Sequence, residues 1–277
     1  MRIDLHVHST ASDGTLSPAA VVAEARAHGV GILALTDHDT MGGVAEALAA
    51  GEAEGVRVIP GVELNTDSPA GEVHVLGYCI PPEDEAFTAL LERRSRARIE
   101  RAHKMVQRLH ELGMPIAFDH VLRLAGGGNI GRPHVARALV EAGYARNVRE
   151  AFDRWLYRGG PAYVPRDRLT PEEAIAAVKA AGGVPVLAHP GRIADQSVIE
   201  ELIAAGLEGL ECFYPEHSPE QTERYLALAR KHGLLVTGGT DFHGPGSTHD
   251  TVIGSVSAPA EGAAELLRRW RERKVPR

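Results

Sequence analysis

Within its 277 residues the chain has only two cysteines, no apolar stretch of membrane length and no excess of positive charge. Cys79 and Cys212 show no paired spacing, which excludes a disulfide framework and points to a reducing compartment, with both thiols in the core. No apolar run approaches the ~20 residues that a membrane span needs. Met1 leads straight into a charged strand rather than a basic and then apolar leader, so a cytoplasmic protein without a membrane partner is expected. A formal net charge of −7 argues against an extended cationic surface. Long duplex DNA is thereby set aside, and any nucleic-acid ligand must be held locally. There is neither an internal repeat nor a low-complexity segment. The length suits one α/β barrel-sized domain or two smaller ones.

What the chain does have is histidine, fourteen in all, and their positions are not scattered. In the opening stretch MRIDLHVHSTASDG, Ile3, Leu5 and Val7 alternate with Asp4, His6 and His8. This period of two marks a strand with both imidazoles on one face. Ser17-Pro18 then opens a helix to about His28, stopped by Gly29. Gly31 to Leu35 is a continuous apolar run, fitting a strand buried on both faces as in a parallel sheet, and it ends in Thr36-Asp37-His38-Asp39. Thr40 to Glu54 reads as helix and Val56 to Glu63 as strand. Thr66 to Gly71 is too short for a crossover helix, so Glu72 to Ile80 is expected to return antiparallel, bringing Glu63 and His74 to one hairpin tip.

From Pro81 the pattern changes. Glu83 to about Leu112 is a long helix rich in arginine, followed by helical pieces at Phe118–Leu124, Arg132–Glu141 and Asn147–Tyr157 around the loop Gly126-Gly127-Gly128-Asn129-Ile130-Gly131. No apolar strand interrupts roughly 90 residues. The expected organisation is therefore a barrel from 1–82 and 166–277 with an inserted helical lid or substrate subdomain at 83–165. The basic run from Arg93 to Arg108, offset by Glu92 and Glu100, reads as a solvated helix face. Alternation resumes with strands at Gly183–Ala188, Leu207–Phe213 and Leu234–Thr240, and the chain closes on the amphipathic helix Ala260–Arg273. Seven strand segments result, an α/β arrangement resembling a distorted barrel that lacks one blade.

Polar clusters stand at the strand ends, where the chemistry of parallel α/β folds collects. They supply His6, His8, Asp13, His38, Glu63, His74, His189, Asp241 and His243. Each histidine alone is readable as a satisfied core residue, but six at strand ends are not. Nine candidate ligands exceed what one metal uses, so two or three divalent metals are indicated. Asp37, Asp39 and Glu211 are candidates for orienting the imidazoles.

The motifs His-x-His, Ser-Asp-Gly, Thr-Asp-His, Gly-Val-Glu, Glu-Val-His, Ala-His-Pro and Asp-Phe-His run in this order from Ile3 to His243. In that order they resemble those of the PHP family, the polymerase and histidinol phosphatase metallo-phosphoesterases. The resemblance implies a distorted (β/α)7 barrel with a trinuclear centre of manganese, with iron or zinc as alternatives. It also implies a ligand allocation: His6, His8, Glu63 and Asp241 for one metal, Glu63, His74 and His189 for a second, and Asp13, His38 and His243 for a third. Several members carry His where this chain has Asp13, and the harder oxygen favours manganese or iron there.

Within the insertion, Gly131-Arg132-Pro133-His134 resembles a segment in a PHP subgroup that removes the 3′-phosphate of nucleoside 3′,5′-bisphosphates and trims short RNA from its 5′ end. Arg132 offers a planar fork for phosphate, and His134 and Arg192 are further candidate donors; a surface arginine at a helix start is the plainer alternative for Arg132. The implied activity is phosphoric ester hydrolysis by water activated on metal, with a small nucleotide or short oligonucleotide as substrate. Histidinol-phosphate phosphatase, a carbon-nitrogen amidohydrolase and a non-enzymatic metal-binding module are the rival readings.

Overall fold

A computed structural model describes residues 1–69, 71–165, 169–247 and 251–273. Its seven strands form one sheet in chain order: β1 (Arg2–Val7), β2 (Val30–Leu35), β3 (Arg57–Ser68), β4 (Gly71–Tyr78), β5 (Val184–Leu187), β6 (Gly209–Phe213) and β7 (Leu235–Gly238). Pairing is parallel from β1 to β3 and from β5 to β7. Both pairs made by β4 are antiparallel, as the short Thr66 to Gly71 connection demands. The two sheet edges approach at one end, where Val7 forms a parallel bridge with Phe242 and the His8 N–H donates to the Phe242 carbonyl at 2.8 Å.

The ten α-helices among the described residues are α1 (Pro18–Ala27), α2 (Val44–Glu54), α3 (Glu85–Glu111), α4 (Phe118–Leu124), α5 (Arg132–Glu141), α6 (Val148–Ala151), α7 (Pro171–Ala180), α8 (Val198–Ala204), α9 (Pro219–His232) and α10 (Ala260–Arg273). Their starts follow side-chain chemistry. Ser17, Asp84, Thr170 and Ser218 each accept from a backbone N–H of the first turn, and proline follows Ser17, Thr170 and Ser218 directly. Helix α2 begins four residues later than the sequence predicts, because Gly42-Gly43 offers no side chain to cap or to hold a first turn. The expected helix over 147–157 divides into α6 and a π-helical turn, Phe152–Leu156. None of the described helices is long and apolar enough to cross a membrane.

Strand β3 runs five residues past Glu63, to Ser68, since its ladder with β4 continues from Glu63 opposite Leu76 to Ser68 opposite Gly71. Glu63 therefore lies within the strand rather than at its tip. His74 sits opposite Asn65, and the hairpin extends beyond both. Between β4 and α7 an apolar cluster drawn wholly from Ala102 to Val164 packs separately from the clusters around the sheet. Helix α3 belongs to both sides, with Phe87 and Leu91 against the sheet cluster and Ala102, Met105, Val106 and Leu109 in the separate one. The expected junction at 166 lies outside the described residues.

One buried carboxylate fixes the sheet closure. Asp4 accepts from Thr240 N (3.0 Å), Thr240 Oγ1 (2.6 Å) and Gly254 N (2.8 Å), joining β1 to the segments after β7. Burial raises its pKa, against the lowering effect of these bonds. Asp4→Ala strands the donors of Thr240 and Gly254 in the interior and is expected to destabilise the protein by about 3 kcal/mol in denaturant unfolding. A loss below about 1 kcal/mol would show that the closure does not depend on Asp4.

Candidate metal centre

The mouth formed by the C-terminal ends of the parallel strands gathers every ligand candidate. β1 carries His6, with His8 just beyond it. The turn after it brings Asp13, and the segment after β2 brings His38. Glu63 and His74 come from the hairpin, His189 from the end of β5, and Asp241 and His243 from the segment after β7. They form three groups in which one ligand atom per residue lies within 4.8 Å of the others: His6, His8, Glu63 and Asp241; Glu63, His74 and His189; and His8, Asp13, His38 and His243. Glu63 belongs to the first and second groups, and His8 links the first to the third.

The fit to cations is visible in the unsatisfied atoms. His6 Nε2, both ring nitrogens of His8, Glu63 Oε2 and His74 Nε2 are buried without a hydrogen-bond partner among the described residues. Such atoms are costly unless something coordinates them. Five imidazoles surround the Glu63 carboxylate, at 2.8 Å (His74), 2.9 Å (His38), 3.1 Å (His189) and 3.2 Å (His6 and His8). Burial pushes Glu63 up, and the charges of His38, His6 and His74 outweigh it and hold its pKa well below the usual carboxylate range. Burial likewise lowers His8, yet the carboxylates of Asp241 and Glu63, each 3.2 Å from its Nε2, raise its pKa to about 10. His6 is raised well above its ordinary value against burial, by Glu211, Asp241 and Glu63. The pocket's field thus favours positive charge, which divalent ions supply without protonating the ligands.

Neighbouring bonds aim these side chains. His6 Nδ1–H donates to Glu211 Oε1 at 3.0 Å, while Glu211 Oε2 accepts the His189 backbone N–H at 2.7 Å, so one carboxylate fixes two ligand candidates. Tyr214 O–H donates to Asp241 Oδ2 at 3.0 Å. His189 and Asp241 adopt left-handed backbone angles, with φ of +28° and +53°. These strained conformations turn each side chain into the mouth, at a cost of order 1–3 kcal/mol each. Asp37 and Asp39 make no hydrogen bond to an imidazole ring among the described residues. Asp37 accepts from Ser9 N, Ser9 Oγ and Ser12 Oγ, shaping the turn that carries Asp13. Asp39, at φ +50°, pairs with Arg94 and Arg98 of α3, which overcome burial and lower its pKa to about 2.

The centre opens into a cleft of about 1000 Å³. Among its lining residues are Arg98, Arg101, Arg132 and Arg192. The Arg132 Nη2 donates to both oxygens of Glu72, at 2.9 and 3.1 Å, and its guanidinium lies over the rings of Phe152 and Tyr163. Arg192 Nη1 reaches Tyr214 Oη at 3.3 Å and stands 3.9 Å from Asp241 Oδ2. His134 is not in the lining. It is buried, and its Nδ1 accepts the Gly131 N–H at 2.9 Å, so it fixes the turn that presents Arg132. The arginine run of α3 departs from its reading as a solvated face. Arg94 and Arg101 are buried and Arg98 nearly so, while Arg93, Arg96 and Lys104 face solvent. The spacing 94, 98, 101 is the helical i, i+4, i+7 stripe that would have revealed an inward basic face.

The loop before Arg132 also seals one side of the centre. Asn129 Nδ2 donates to the carbonyls of His38 and Asp39, both at 2.9 Å. A Cβ at Gly128 would collide with the Thr10 and Ala11 backbone, so only glycine permits this approach.

Known proteins align with this chain over almost all of it. The PHP domain profile matches residues 4–156. A 3′,5′-nucleoside bisphosphate phosphatase of Chromobacterium violaceum is 39% identical over 250 residues, covering 88% of each chain. The 5′-3′ exoribonuclease Rnm of Escherichia coli is 38% identical over 249 residues, 87% of this chain and 85% of its own. A solved structure from Bifidobacterium adolescentis, assigned to the metal-dependent phosphoesterases, superposes with a TM-score of 0.90 at 36% identity over 96% of both chains.

Burial lowers the His134 pKa to about 4. Between that value and the unfolded histidine's ~6.5 the unfolded chain binds the extra proton, so His134 contributes stability above pH 6.5 that is lost as pH falls toward 4. His134→Gln, which can still accept the Gly131 N–H, is expected to lose less stability than wild type between pH 7 and 5 in urea unfolding. Parallel losses would exclude this assignment.

Proposed function

The chain belongs to the PHP domain family, and we propose that it hydrolyses the 3′-phosphate of nucleoside 3′,5′-bisphosphates and trims short 5′-phosphorylated RNA from the 5′ end. The observation that carries this reading is the joining of three ligand groups through Glu63 and His8 on the floor of an arginine-lined cleft. His6, His8, Glu63 and Asp241 would hold one divalent ion, Glu63, His74 and His189 a second, and Asp13, His38 and His243 a third. Manganese suits this mixed imidazole and carboxylate set, and the oxygen of Asp13 favours it, or iron, over zinc at the third position. When bound, such ions supply Lewis-acid polarisation of the phosphoryl oxygens and hydroxide at neutral pH.

The side chains do the rest. Glu211 keeps the His6 proton on Nδ1, which leaves Nε2 facing the floor. Tyr214 holds Asp241 in place, and Arg192 beside it offers positive charge to a phosphate oxygen. Arg132 presents a planar donor fork in the same cleft, and the substrate's remote phosphate exchanges with Glu72 for it. His134 holds that fork in position from beneath. We assign residues 83–165 as the substrate-binding element over a barrel formed by 1–82 and 166–277.

Two measurements test these assignments. Arg132→Ala is expected to lower kcat/KM for adenosine 3′,5′-bisphosphate by about 10- to 100-fold, the value of one or two charge-assisted bonds, with a much smaller effect on a 3′-monophosphate. Equal losses on both would instead favour a monophosphatase such as histidinol-phosphate phosphatase. Glu63→Gln is expected to remove at least one metal ion per chain by elemental analysis of purified protein. Unchanged metal content would dismiss Glu63 as a shared ligand.

A further inference from the structure

Beyond the floor of the cleft, its rim carries a basic and aromatic segment that a mononucleotide does not need. In residues 146–158, arginines at 146, 149, 154 and 158 alternate with Phe152, Trp155 and Tyr157, and the π-helical turn Phe152–Leu156 runs through the middle. Arg149, Phe152 and Arg158 line the cleft itself. The Arg149 side chain is 92% exposed and that of Arg158 51%, and their acidic neighbours, Asp153 and Asp67, stand off at 3.9 and 3.8 Å. Arg146 and Arg154, by contrast, are drawn to Glu150. The Arg154 guanidinium also lies 4.2 Å over the Trp155 ring, and Tyr157 is 49% exposed.

Exposed guanidinium groups interleaved with aromatic faces are the means by which proteins hold single-stranded nucleic acid without reading its sequence. On a chain of net charge −7 this patch is a local exception, placed beside the site and nowhere near the opposite end of the sheet. The cleft's volume of about 1000 Å³ stands at the top of the ~300–1000 Å³ range of small-ligand sites. Resting on the phosphoesterase reading above, we propose that the segment 146–158 is a docking surface for the 3′ continuation of a single-stranded RNA whose first nucleotide occupies the metal centre. Arg149 and Arg158 contact its phosphates, and Tyr157 stacks on a base.

The double variant Arg149→Ala/Arg158→Ala and the single variant Tyr157→Ala test this, each first confirmed as folded by its melting temperature. With metal-loaded protein, wild-type kcat/KM is expected to rise from a 5′-phosphorylated RNA dimer to a decamer. The double variant loses about tenfold on the decamer while staying within twofold on adenosine 3′,5′-bisphosphate. Its log–log salt dependence on the decamer is shallower by about 1.4, at ~0.7 per single-strand phosphate contact. Binding of a 3′-fluorescein decamer with phosphorothioate linkages, read by anisotropy, weakens in parallel, and Tyr157→Ala weakens it about tenfold. No rise with length, equal losses on bisphosphate and decamer, or equally tight binding of a duplex decamer would overturn the docking surface. A wild-type protein that hydrolyses neither substrate yet binds the decamer through Arg149 and Arg158 would overturn the function reading and leave the surface standing.

Discussion

A single carboxylate with five imidazoles within 3.2 Å is the constraint to which the surrounding architecture answers. Glu63 is fully buried, and a negative charge in that position is tolerable only while positive charge faces it. The histidines come from four separate segments of the chain, so the field around Glu63 also links the first strand, the second, the hairpin and the fifth. Left-handed backbone at His189 and Asp241 is strain that a fold tolerates where the resulting side-chain direction is required.

The same economy extends outward. Asp37 and Asp39 flank His38 in sequence, yet neither makes a hydrogen bond to an imidazole among the described residues. Asp37 ties down the Ser9 to Ser12 turn, and Asp39 receives Arg94 and Arg98 from the long helix. Asn129 closes the circuit by donating to the His38 and Asp39 carbonyls. The segment between β4 and α7 thus contacts the backbone that carries His38, and the two sides of the cleft share one hydrogen-bonded frame.

Much of this was legible in the order of residues. Period-two alternation at His6 and His8, the abrupt polar ends of apolar strands and the short connection before β4 were enough to predict seven strands with β4 reversed. The Ser17-Pro18 pair marks a helix start in the sequence, but Gly42-Gly43 shows how a helix that looks continuous from Thr40 loses its first turn. The inward arginines of α3 show only by helical face, since along the sequence they are interleaved with exposed charges. The burial of His134, away from the cleft lining, is hidden in the sequence for a related reason. A histidine three residues after a glycine is equally able to reach back to the backbone or forward to a ligand, and only packing decides. The length of β3 depends on partner strand β4, a non-local fact that local pattern does not contain.

The apolar cluster between Ala102 and Val164 has a consequence for descent. Because this segment fills its own interior, changes where it lines the cleft need not repack the strands that hold Glu63. Selection can therefore vary this part of the cleft wall in one contiguous stretch of chain, like exchanging the head of a tool on a fixed handle. The bonds from Arg94, Arg98 and Asn129 mark the coupling that any such exchange must preserve.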